Sequence, residues 1–215
     1  MSPRTLSLAV VVAIALASSI ASAHEGLPHE IAELTERIVD EPSNPDLLLE
    51  RADLWRIEDD YARARADLRR ARELGADPQK TSLLKGRVLL EAGDYLGAKV
   101  ALDAHLKAQP DSFYGRWYRA RVRGVMGDVS GALEDYDQAV KLGGKVDVFV
   151  ERGRLLEARE DWKRAAANYR LALSKLGEHD SARAALWRVE MKRGKFEATA
   201  LAVDPILKHA HVRTS

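Results

Sequence analysis

Along residues 83–98, LLKGRVLLEAGDYLGA, apolar side chains recur at helical spacing, break at a Gly-Asp pair, and then resume. This pattern predicts an amphipathic helix, a tight turn and the start of a second helix. It is spelled again once upstream and twice downstream. Small residues precede the turn at Ala52, Gly86, Ala120 and Gly153 and follow it at Ala64, Ala98, Ala132 and Ala165, both series stepping by 34, 34 and 33 residues. The bulky residue after the turn keeps the same step, as Tyr61, Tyr95, Val129 and Trp162. A fixed period in this range is the signature of stacked supersecondary units.

The residue types fit that geometry. Two helices joined by a tight turn approach closely only where small side chains meet, so Gly86 and Ala98 are expected at the crossing of their arms. Gly93 and Gly127 can end a helix without strain. Asp60, Asp94, Asp128 and Asp161 follow the turn and suit the N-cap of the second helix. The turns at Glu58-Asp59-Asp60 and Arg159-Glu160-Asp161 lack glycine, so the turn varies while the small crossing residues persist.

In this register the chain resembles the tetratricopeptide repeat, with small residues at the eighth, twentieth and twenty-seventh positions and an aromatic at the seventeenth. The twenty-seventh positions are Ala71, His105, Ala139 and Ala172, so His105 departs from the pattern. The twenty-fourth, Leu68, Leu102, Tyr136 and Tyr169, are large as expected, and Pro42 and Pro110 fall between units. The resemblance implies an all-α, right-handed α-solenoid of antiparallel helix pairs, a superhelix with first helices lining a concave groove. Full repeats are expected at 45–78, 79–112, 113–145 and 146–179. Residues 24–44 read as an N-terminal capping helix whose apolar face is Ile31, Leu34, Ile38 and Val39. Residues 180–215 read as a degenerate fifth repeat acting as a C-terminal cap, with Trp187 at a usually small position and Asp204-Pro205 interrupting its second helix.

Residues 1–23 carry one basic residue, Arg4, an apolar run from Leu6 to Ala17, and Ala21-Ser22-Ala23. This is the three-part pattern of a signal peptide, with cleavage expected after Ala23 and a periplasmic or secreted product. The apolar run is short for a membrane anchor, the alternative reading. No membrane association is expected after cleavage.

Composition narrows the function. The 215 residues are 46% hydrophobic and 31% charged, with a formal net charge of +1, which argues against nucleic acid as the partner. Absence of cysteine removes disulfides, thiol catalysis and thiolate metal sites together. No phosphate-cradling loop, metalloprotease pair or nucleophile elbow is present, so neither an enzyme nor a cofactor is expected.

The resemblance implies that groove positions carry recognition. The ninth positions are Asp53, Arg87, Arg121, Arg154 and Arg188. Four arginines in series suit an extended peptide with acidic side chains or a terminal carboxylate, because the guanidinium fork binds carboxylates bidentately. The plainer reading is a set of satisfied surface arginines, Arg87 with Glu91 and Arg154 with Glu151 and Glu157 on the same helix. Arg121 and Arg188 have no acid at those spacings. In the third repeat Tyr114, Trp117 and Tyr118 fall at groove positions beside Arg121, and Arg116 replaces the usual fourth-position apolar residue. Phe113 and Trp117, four residues apart, can equally fill the core that Arg116 vacates. The partner-binding expectation is therefore Arg87, Tyr114, Trp117, Tyr118, Arg121, Arg154 and Arg188, receiving a protein or peptide segment, an acidic one being what the arginines suit. The family's two-carboxylate clamp is absent, since its first-repeat positions hold Leu49 and Asp53. The seventh-position cations Arg51, Lys85, Arg119 and Arg152, and Arg123, receive no function. An alternative is a small extracytoplasmic metal-binding protein using His24, His29, His209 and His211, although closed sites gather three or four oriented ligands. A further alternative is self-association through the terminal repeats.

Overall fold

A computed structural model describes residues 26–176 and 180–194. Among them are ten helices and no strand: α1 Leu27–Asp40, α2 Pro45–Ile57, α3 Tyr61–Glu73, α4 Pro78–Glu91, α5 Tyr95–Ala108, α6 Phe113–Val125, α7 Val129–Lys141, α8 Val146–Ala158, α9 Trp162–Leu176 and α10 Asp180–Lys192. No helix among the described residues is long and apolar enough to cross a membrane. The chain divides into two compact units, one ending at Ala101 and the other beginning at Leu102, with the division falling inside α5. The signal-like segment and the end of the expected fifth repeat lie outside the described residues.

Every expected aspartate caps its second helix. Asp60, Asp94, Asp128 and Asp161 accept the backbone N–H three residues on, at 2.9, 3.0, 3.0 and 3.1 Å. Their own N–H groups reach back five residues to Trp55, Leu89, Arg123 and Leu156, which closes the preceding helix. That closure needs a left-handed residue just before the aspartate. Gly93 and Gly127 supply it at φ 78° and 83°, while Asp59 and Glu160 adopt it at φ 58° and 60°. The two turns without glycine therefore have the same geometry at a steric cost of about 1–2 kcal/mol each.

The first unit packs α2 against α3 and sets α1 and α4 beside them. Ala52, Ala64 and Ala71 are fully buried with Leu48, Leu68 and Val88 around them. In the second unit Ala120, Tyr136, Ala139 and Val148 form one cluster, and Leu156, Ala165, Tyr169 and Ala182 belong to a larger one. Gly153 lies against the ring of Tyr169, where an added Cβ would stand 2.7 Å from a ring carbon. His105, the departure from the small-residue pattern, is buried, and its Nε2 lies 2.8 Å from Ser112 Oγ. Gly115 makes the room, since a Cβ there would meet the His105 ring at 2.7 Å.

Candidate functional site

Positions on first helices come together differently in the two units. In the first unit Arg87 of α4 meets Asp53 of α2 at 3.3 Å, across one repeat. Asp53 also accepts from Arg56 at 2.7 Å, and Arg56 reaches Glu91 of α4 at 2.9 Å. The same step ties Lys80 to Asp46. Between α2 and α4 lies a cleft of ≈ 490 Å³ floored by Leu49, Leu83 and Leu84, its rim carrying both signs of charge.

In the second unit Glu151 of α8 is the hub. One of its oxygens accepts from the Trp117 indole at 2.7 Å and from the Tyr136 hydroxyl at 3.2 Å, and the other lies 3.7 Å from Arg121. Burial, then the Glu151 charge, pushes the Tyr136 phenol far above its ordinary value. The expected aromatic group assembles on α6. The Trp117 and Tyr118 rings stack at 5.5 Å, and Tyr114 and Tyr118 at 6.1 Å. Tyr118 is buried, Trp117 half-buried, and Tyr114 is 39% exposed. Lys145 stands 4.7 Å over the Tyr114 ring and hydrogen-bonds its hydroxyl, which raises the ammonium pKa. Arg116 turns away from the aromatic face to the buried Asp135.

Arg188 of α10 engages both oxygens of Glu157 on α8, and the Tyr169 hydroxyl donates to the same carboxylate. The Arg188 hydrogen bond holds the Glu157 carboxyl below its ordinary value against the opposing effect of burial, and the Tyr169 bond adds to it. Arg154 is exposed and makes no ion pair among the described residues. The arginine series is therefore mostly neutralised, by acids on neighbouring repeats. Arg121 and Arg188, which have no acid three or four residues away on their own helices, are paired this way.

Two of the seventh-position cations, which the sequence leaves without a role, hold buried carboxylates: Arg51 holds Asp67 and Arg119 holds Asp135. Arg119 and Arg123 join Arg116 on Asp135, and Arg51 takes Asp67 bidentately. The partners of Arg51 and Arg119 sit sixteen residues away, a spacing that the repeat period makes findable. Among the described residues no group of three or more His, Asp or Glu side chains is arranged to hold a metal. His24, His209 and His211 lie outside those residues.

No family model matches the chain. Human tetratricopeptide repeat protein 36 is 34% identical over 102 residues, covering 42% of this chain and 54% of that protein. The chain thus spans about half the length of this curated relative. Among solved structures, pilF of Pseudomonas aeruginosa is similar with a TM-score of 0.72 at 16% identity, covering 86% of this chain and 85% of that one. YrrB, described as a TPR protein with an unusual peptide-binding site, has a TM-score of 0.59 at 16% identity, covering 76% and 85%. With ten described helices and these likenesses, the fold is the all-α solenoid of helix pairs found in tetratricopeptide-repeat proteins.

Proposed function

We propose that the chain is a non-catalytic scaffold that takes a segment of another protein on the first-helix face of its second unit. The observation that carries this reading is the stacked set Tyr114, Trp117 and Tyr118, fixed from behind by Glu151 and overlain by Lys145. Rigid aromatics beside a cation make a surface that loses little entropy on binding. An apolar side chain of the segment rests on Tyr114 and Trp117, and an acidic one meets Lys145 or Arg154. Arg121 and Arg188 act by holding Glu151 and Glu157 in place, and Arg87 plays the same part with Asp53 in the first unit. The likeness to YrrB, with its unusual peptide-binding site, supports a segment as the ligand. Export with cleavage after Ala23 belongs to the same proposal, and N-terminal sequencing of the mature protein tests it.

A randomised displayed peptide library, selected on the immobilised full chain, provides a probe. The enriched peptide is expected to bind Trp117→Ala at least about ten-fold more weakly, as loss of a central aromatic anchor implies. Unchanged affinity in a variant with native circular dichroism overturns the reading.

A further inference from the structure

We propose a second binding site in the first unit, a cationic cleft between α3 and α4 that accepts the acidic side chains of a partner peptide segment. It stands on other residues than the aromatic face and does not depend on it. Each seventh-position cation elsewhere has acceptors set by the repeat. Arg51 bonds Thr35 and Asp67, sixteen residues before and after it. Arg119 bonds Asp103 and Asp135, again sixteen either side. Arg152, reached through the shorter 33-residue step, takes Asp137, fifteen before.

Lys85 occupies the same position in the second repeat, and both of its acceptor slots are altered. The residue sixteen before is Arg69 and the residue sixteen after is Ala101. A like charge and a methyl replace the acid pattern. Lys85, Arg69 and Arg72 make no ion pair among the described residues, and all three are exposed. Arg65 touches Asp94 only at 3.9 Å, and its buried Nε has no hydrogen-bond partner. On α3, Arg65, Arg69 and Arg72 fall at i, i+4 and i+7, which puts them on one stripe. With Lys85 they rim a cleft of ≈ 220 Å³ floored by Leu68 and Leu89.

The chemistry of that cleft selects its ligand. Four cations with no carboxylate among the lining residues call for anionic oxygens, and guanidinium forks favour planar carboxylates. The leucine floor suits the methylenes of glutamate, which a free phosphate lacks. A nucleic acid needs an extended basic surface. Here α3 also carries Asp67 and Glu73, and the whole chain has a formal charge of only +1.

The test is calorimetric titration of the full chain with hexaglutamate, inorganic phosphate and a short DNA duplex at low ionic strength. Wild type is expected to bind hexaglutamate in preference to the others and to release it as salt is added. Arg69→Asp restores the acid found at the equivalent Asp103, so this variant is expected to fold with an unchanged or higher Tm. Its hexaglutamate affinity is expected to fall about ten-fold or more. Lys85→Gln, which adds no charge, is expected to weaken binding in the same direction and serves if Arg69→Asp does not fold. No hexaglutamate binding by wild type, or equal binding by wild type and both variants, overturns the proposal. Tighter binding of phosphate or duplex, lost in the same variants, overturns the assignment to an acidic segment.

Discussion

Replacing Asp135 by alanine tests the polar interior of the second unit. The Asp135 side chain is 1% exposed and accepts four hydrogen bonds from three arginines, at 3.1 Å from Arg116, 2.8 and 2.8 Å from Arg119, and 2.9 Å from Arg123. Removing one partner of a buried ion pair costs about 3–5 kcal/mol, because the remaining charge is left in a poorly solvated place. Here the remaining charges keep other contacts. Arg119 retains Asp103, Arg123 retains the Gly131 carbonyl, and Arg116 retains the Pro110 carbonyl. The loss is therefore set near the lower end, at about 3 kcal/mol. Asp135→Asn is expected to cost nearly as much, since its amide would point donors at donors. Asp67→Ala, which releases only Arg51, is expected to cost less, about 2 kcal/mol. Urea unfolding followed by circular dichroism measures all three. An Asp135→Ala variant within about 1 kcal/mol of wild type would refute the idea that this carboxylate organises the interior.

Glu160→Gly is expected to raise stability by about 0.5–1 kcal/mol, because φ 60° strains a residue with a Cβ, and thermal melts read the gain. Gly153→Ala is expected to lower stability by about 1–3 kcal/mol, since the new methyl presses on the Tyr169 ring. Glu157 gives a pH signature. Its folded pKa is depressed, so its contribution to stability is complete above the ordinary value near 4.5 and is lost as pH falls through the folded value. Glu157→Gln should therefore flatten the acid limb of stability against pH; an unchanged limb would count against the Arg188 pairing.

The helix pairs were legible because packing imposes a size limit at fixed positions, and Ala52, Ala64, Ala120, Ala132 and Ala165 satisfy it in register. The capping aspartates were legible for the same reason, since one short side chain suffices to mark a helix start. Charge pairing was not. Within a helix, Arg87 matches Glu91, while Arg121 and Arg188 stand alone. In three dimensions Arg87 meets Asp53, Arg121 meets Glu151, and Arg188 meets Glu157, each about one repeat distant. A period of 34 residues brings such partners side by side, and no nearest-neighbour rule along one helix can see them. His105 shows the converse limit. The chain compensates a large residue at a small position by removing a side chain at Gly115, ten residues later and on the next helix.

The most direct test of the proposed scaffold places a photo-crosslinking amino acid at Tyr114, on the aromatic face, and in a second protein at Leu171, exposed on α9. Each full chain is irradiated with the library-selected peptide, and adducts are mapped by mass spectrometry. Adducts at 114 with none at 171 are the predicted result; adducts at 171, or equal yields at both, would contradict docking on the first-helix face.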